Sequence, residues 1–252
     1  MSRLLGPLMV LAVLIGIWEL YVDLGGVDPL VLPSPHAVAS SLYDDRSLLW
    51  RNFLVTAKEV LLGSTLAVAL GFGLAVAIRF SHTLRVALYP LLIGSQAIPV
   101  VTIAPVLVIW LGFGLAPKLV VIALVSFFPV VVTTLAGFAA VDPDLLKLMR
   151  TFDGTRLRAF RHIELPASLP HLFTGAKIAV AVSVIGAVFA EWSGTNSGGL
   201  GFLLQQSIPQ LLAARGVAAV VILCLFAVAL FGALALAERL ALPWAYEPRE
   251  RS

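Results

Sequence analysis

The chain has 252 residues, of which 60% are hydrophobic and only 12% charged, with a net charge of +3 and a mean hydropathy of +1.01. A soluble domain carries about 25% charge, so this composition excludes a water-bathed globule and makes lipid the surrounding solvent. The single cysteine, Cys224, excludes an intrachain disulfide, and the modest basic excess reads as loop arginine that orients a membrane protein rather than as a nucleic-acid surface.

Six apolar runs follow in chain order, each long enough to cross a bilayer with about 20 residues of helix. The first covers 4–22, with Glu19 near its end. Pro33 and Pro35 of "LPSP" (32–35) then make a rigid outer corner, and "HAVASSLYDDRSLLWRNF" (36–53) reads as an interfacial helix anchored by Trp50. The second span is 58–80, around "VLLGSTLAVALGFGLAVAI". The third is 86–113, which Pro90, Pro99 and Pro105 interrupt. A fourth covers 118–141, a fifth 171–191, and a sixth 216–238. Between the last two, 202–212 reads as a short amphipathic helix. No repeat or low-complexity linker divides the chain, so 1–252 reads as one all-α membrane domain.

Lysine and arginine set the orientation. With the N-terminus inside, the inner segments hold Arg3, Arg79, Arg85, Lys147, Arg150, Arg156, Arg158, Arg161, Arg239, Arg249 and Arg251. The outer segments hold Arg46, Arg51, Lys118 and Arg215, while Lys58 and Lys177 lie at helix ends. This bias predicts both termini in the cytoplasm.

One cytoplasmic stretch stands apart. "VDPDLLKLMRTFDGTRLRAFRHIELP" (141–166) carries 9 of the 31 charged residues. Each lysine or arginine at a bilayer centre costs about 2.5–3.5 kcal/mol, so the stretch does not cross. Asp142 suits an N-cap, Pro143 the first helical position and Asp144 the positive helix end. Leu145, Leu146, Leu148, Met149 and Phe152 then form an apolar face. Asp153 and Gly154 mark a turn. Thr155 caps a second short helix, with Leu157, Phe160 and Ile163 on one side, and Pro166 ends it. Such a bracket either lies on anionic headgroups or docks a cytoplasmic protein.

The bracket resembles the cytoplasmic loop of ABC importer permeases, with its pattern E-A-A-x3-G-x9-I-x-L-P. Ile163, Leu165 and Pro166 match it, as does the nine-residue spacing 154–162. "SQAIPVVTIAPVLVIWLGFG" (95–114) and "GAVFAEWSGTNSGGLGFL" (186–203) resemble other segments of the nitrate/taurine/sulfonate-type binding-protein-dependent permeases, and "LPSP" does likewise. The pattern's Glu falls on Lys147, its second Ala on Met149 and its Gly on Asp153, with Gly154 one place late. Either the ATPase supplies an acid opposite Lys147, or the contact relies on shape. The resemblance implies a type I importer permease fold in a prokaryotic inner membrane. It implies two ABC ATPase subunits, which use ATP and Mg, an extracytoplasmic substrate-binding protein and a second permease copy. The coupling loop is 142–166, with Asp144, Leu145, Lys147, Leu148, Met149, Arg150, Phe152, Asp153, Gly154 and Arg158 meeting the ATPase. Within the family, "SFFPVVVTTLAGFAAVDPDLLKLMRTF" looks most like permeases for pyrimidine thiamine precursors or riboflavin. Sulfonate, taurine or nitrate is the alternative.

A solute pathway is expected where backbone carbonyls are freed and polar side chains gather. Ser95, Gln96, Pro99 and Thr102 fit this, with Thr133 and Ser183 on later spans; each also fits a helix-packing role. Glu191 and Trp192 close the fifth span as an outer gate, or as an interfacial anchor. No metal set, P-loop or nucleic-acid site appears in the sequence, and the chain is expected to bind no cofactor and to have no enzyme activity of its own. An intramembrane enzyme is disfavoured because His36, His82, His162 and His171 fall in loops or at helix ends. An ion-coupled transporter is disfavoured because Glu19, Lys177 and Glu191 all lie near ends, which leaves the bilayer centre without charge.

Overall fold

A computed structural model describes residues 2–152, 154–193 and 198–245, which are helical apart from turns and contain no strand. The helices are α1 (Ser2–Gly25), α2 (Pro35–Asp44), α3 (Arg46–Phe80), α4 (His82–Ser95), α5 (Val100–Leu111), α6 (Leu115–Ala139) and α7 (Pro143–Thr151). They continue with α8 (Arg156–Ala159), α9 (Leu165–Ser193), α10 (Leu200–Ser207) and α11 (Ala213–Ala241). A π-turn, Phe160–Glu164, joins α8 to α9. Among the described residues four helical runs are long and apolar enough to span a bilayer: α3, α6, Arg156–Ser193 and α11. The pair α4 and α5, bent by 104°, makes a fifth, broken span.

The bend falls where the prolines predict it. Pro99 precedes α5 as its N-cap residue, and the chain between the two helices turns through Gln96–Pro99. Two expected boundaries are corrected. The stretch 36–53 is not one interfacial helix, because Asp45 ends α2 and residues from Arg46 onward begin the 35-residue α3. The loop 142–166 does not end at Pro166 either. From Arg156 the chain runs helically to Ser193 over 38 residues. Proline in a helix lacks its own N–H and clashes with the carbonyl four residues back. Here Leu165 N–H bonds to Phe160 O, five residues back, and the widened turn lets the helix pass through Pro166.

The chain forms two compact units. The first comprises Met1–Ala57 and Asn196–Leu225, the second Lys58–Thr195 and Phe226–Ser252. In the first unit, polar contacts tie the short elements together. Asn52 Oδ1 accepts the Gly199 N–H and Thr56 Oγ1 the Leu200 N–H, both at 2.8 Å, so α3 side chains satisfy donors at the start of α10. Arg215, at the start of α11, grips Asp45 with two bonds of 2.9 and 2.7 Å. That guanidinium holds the Asp45 carboxyl below its ordinary range.

The second unit is built on α6 and α9. Gly175 is required at their crossing, since a Cβ there would stand 2.2 Å from Thr133 Oγ1 and 2.9 Å from Val130 Cα. Ala75 and Ile78 of α3, Leu92 of α4, and Val131 and Phe138 of α6 form one buried cluster. Ala104 and Leu107 of α5, Val121 of α6 and Ala190 of α9 form another.

Candidate functional site

The charged bracket resolves into α7, a turn and the start of the long helix, all within the second unit. Asp142 Oδ1 accepts the Asp144 N–H at 2.8 Å, the N-cap bond expected from its position before Pro143. Thr155 caps α8 by accepting the Arg158 N–H. Leu145, Leu148 and Phe152 are 49%, 53% and 72% exposed, so the apolar face of α7 is uncovered. Met149 is half-buried. Gly154 N–H bonds to Met149 O at 2.9 Å, and a Cβ on Gly154 would lie 2.5 Å from that oxygen. The glycine that the pattern places at 153 therefore has its physical counterpart at 154, set by close backbone approach. Asp153 lies outside the described residues, as does the side chain of Arg150. Lys147 Nζ bonds to Asp144 Oδ1 at 2.7 Å, an exposed pair one helical turn apart, so its charge is partly answered within α7.

What anchors the bracket was not visible in the sequence. Glu164, buried, receives two bonds from the Arg79 guanidinium at the end of α3, one from Nε at 2.9 Å and one from Nη2. Arg156 donates to the Arg79 carbonyl at 2.9 Å and lies over the Phe80 ring. Phe160 packs against Phe80 and Phe138. Thus the part of the bracket that follows α7, Arg156–Glu164, is fixed to the ends of α3 and α6, and α7 connects to it through the Gly154 turn. Arg79 and Glu164 are 85 residues apart, so only folding brings them together.

The candidate pathway residues fall into two groups. Ser95, Gln96, Pro99 and Thr102 surround the α4–α5 bend, with Gln96, Pro99 and Thr102 exposed. Ser95 donates to Leu92 O and Thr102 to Pro99 O, both at 2.7 Å. Thr133 instead fills the Gly175 crossing and donates to Pro129 O at 2.8 Å, while Ser183 is fully buried and donates to Val180 O. Both hydroxyls bond to carbonyls of their own helices, and that of Thr133 also faces Gly175 across the α6–α9 crossing.

Lys118 needs correction, and Glu191 has a neighbour that the spacing of the two residues conceals. Lys118, taken as a loop charge, is 3% exposed and bonds to Glu59 Oε1 at 2.6 Å. Glu191, expected at an outer gate, is buried beside Glu59 within hydrogen-bonding reach. Glu59 therefore stands between Lys118, which donates to it, and Glu191. Trp192 meets Phe189 edge-on, with ring centres 5.3 Å apart. Lys177 is likewise no stray end charge, since its Nζ bonds to Glu238 of α11 at 2.7 Å. Buried ions require such partners, and removing one costs about 3–5 kcal/mol.

One group in the first unit has metal-ligand residue types, although no metal set is expected from the residue spacing. Donor atoms of Glu19, Asp23 and His36 lie within 4.8 Å of one another. Glu19 Oε1 already engages His36 Nδ1 at 2.5 Å and holds the imidazole above its ordinary pKa of 6.5.

The long apolar helices define a helical membrane component in which α7 leaves Leu145 and Leu148 exposed. The model of binding-protein-dependent transport system inner membrane components matches residues 67–241, and the chain belongs to that family. It is 41% identical over 202 residues to a probable ABC transporter permease protein of Haemophilus influenzae, covering 80% of this chain and 82% of that one. It is 33% identical over 241 residues to the formylaminopyrimidine transport permease ThiX of Halalkalibacterium halodurans, covering 95% and 96%. The riboflavin transport permease RibX of Chloroflexus aurantiacus is 33% identical over 247 residues, covering 95% and 90%. Among solved structures, an inward-facing MetNI methionine ABC transporter matches with a TM-score of 0.60 at 17% identity, covering 75% of this chain and 97% of that one, a likeness of fold.

Proposed function

We propose that this chain is the solute-conducting permease of an ATP-driven importer, carrying six spans with α1 as the first and both termini in the cytoplasm. It works as a homodimer with two ABC ATPase subunits and an extracytoplasmic binding protein. The observation that carries the reading is α7, an uncovered apolar helix joined through the Gly154 turn to a stretch that Arg79–Glu164 and the Phe80–Phe138–Phe160 contacts fix to the ends of α3 and α6. A helix so mounted transmits the motion of a protein bound to it. Docking rests mainly on Leu145, Leu148 and Phe152, because Lys147 already has Asp144 as a partner and exposed pairs contribute little. ATP and Mg act on the partner ATPase. Its closure turns the permease pair between inward-open and outward-open forms by rigid-body movement.

The pathway runs past the α4–α5 bend, where Ser95, Gln96, Pro99 and Thr102 offer polar groups beside irregular backbone. The substrate is a small heterocycle such as an aminopyrimidine or riboflavin, supported by relatives named for those solutes. A sulfonate such as taurine is the second reading, favoured by a 28% identical taurine permease of Escherichia coli. The deciding experiment is reconstitution of the chain with its co-purifying ATPase and its binding protein. Uptake of the labelled heterocycle is expected only when ATP, ATPase and binding protein are all present. Uptake by the permease alone overturns the proposal.

A further inference from the structure

At the end of the second unit away from the bracket, three charged side chains from three helices meet out of contact with solvent. Lys118 comes from the first turn of α6, Glu59 from α3 and Glu191 from the end of α9, and they are 3%, 3% and 0% exposed. Lys118 Nζ holds Glu59 Oε1 at 2.6 Å, and Glu191 reaches Glu59. The apolar cluster of Ala104, Leu107, Val121 and Ala190 lies beside them in sequence, one residue from Glu191 and three from Lys118. Through it α5, which leads away from the bend, packs on the same helix ends.

The same three helices are joined again beside the bracket by Arg79–Glu164 and the phenylalanine contacts. Apolar contacts between helices tolerate sliding by a side chain. A buried ion pair does not, since displacement leaves a charge without a partner. We propose that Glu59 and Lys118 are positioning residues of the transport cycle: with Glu191 they clamp α3, α6 and α9 so that movement imposed at α7 reaches the far ends without loss. The clamp rests on the importer reading above. It need not raise stability, because an apolar replacement of both partners is often neutral. Its role is in fidelity of movement, and that separates it from a packing role.

The test uses the reconstituted complex and measures solute taken up per ATP hydrolysed. The paired variant Glu59→Gln/Lys118→Met, made together with Glu191→Gln so that no buried carboxylate is left without a cation, removes the clamp without stranding a charge. It is expected to keep its melting temperature and its ATPase rate, while uptake per ATP falls about fivefold or more. The exchanged variant Glu59→Lys/Lys118→Glu is expected to restore the ratio. An unchanged ratio in the paired variant overturns the clamp. If the paired variant does not assemble, the exchanged one decides: a wild-type ratio supports the clamp and a low ratio overturns it. Absence of ATP-driven uptake in the wild-type complex is a separate failure, that of the importer reading.

Discussion

Gly154 is held to its identity by one oxygen. A side chain there would press on Met149 O at 2.5 Å, and the two residues are already joined by the Gly154 N–H. Overpacking against backbone costs about 1–3 kcal/mol. We therefore expect Gly154→Ala to tilt α7 against the Arg156–Glu164 stretch, and uptake to fall by roughly tenfold or more with membrane levels unchanged. Transport assays beside immunoblots check this, and wild-type uptake would show that the turn is not critical. Other residue roles were beyond the sequence. Lys118 follows a glycine-containing turn and precedes an apolar run, as loop lysines do. Its partner Glu59 lies 59 positions earlier, and no local pattern connects them.

The helix boundaries show what periodicity and proline rules carry. Apolar runs located α3, α6, α9 and α11, and Pro99 marked the break between α4 and α5, because both signals act over a few residues. Pro166 misled because its usual effect assumes a four-residue hydrogen-bond step, and here the step is five. Asp45 misled in the other direction: it lies inside an apparently continuous amphipathic pattern but ends α2, held there by Arg215. For α7 the reading of cap and apolar face agrees with the structure, since Asp142, Asp144 and the exposed leucines act within one helix. Phe152 extends that face at 72% exposure. The variant Phe152→Asp places a charge at the centre of the proposed ATPase contact. It should insert normally, lose ATPase on purification and show no uptake. Retention of a stoichiometric ATPase would count against α7 as the dock.

At the level of the whole molecule, the ionic contacts of the second unit occupy separate places. Arg79–Glu164 belongs with the bracket, and Glu59–Lys118–Glu191 joins the start of α6 and the end of α9 to the interior of α3. The lysine and arginine bias leads us to expect the bracket end in the cytoplasm. Cys224 is the only cysteine, so a Cys224→Ala background allows a clean test. Lys147→Cys in that background should react with a membrane-impermeant maleimide in inside-out vesicles and not in right-side-out ones. The opposite result would invert the chain in the membrane and remove the ATPase from reach of α7.

The unbroken run from Arg156 to Ser193 has a mechanical consequence. Its 38 residues make a rod about 57 Å long at 1.5 Å per residue. Tilting such a rod by about 10° around one tip swings the other through about 10 Å. Because the π-turn carries the chain through Pro166 as helix, a movement imposed at the proposed dock would enter this run without crossing a loop.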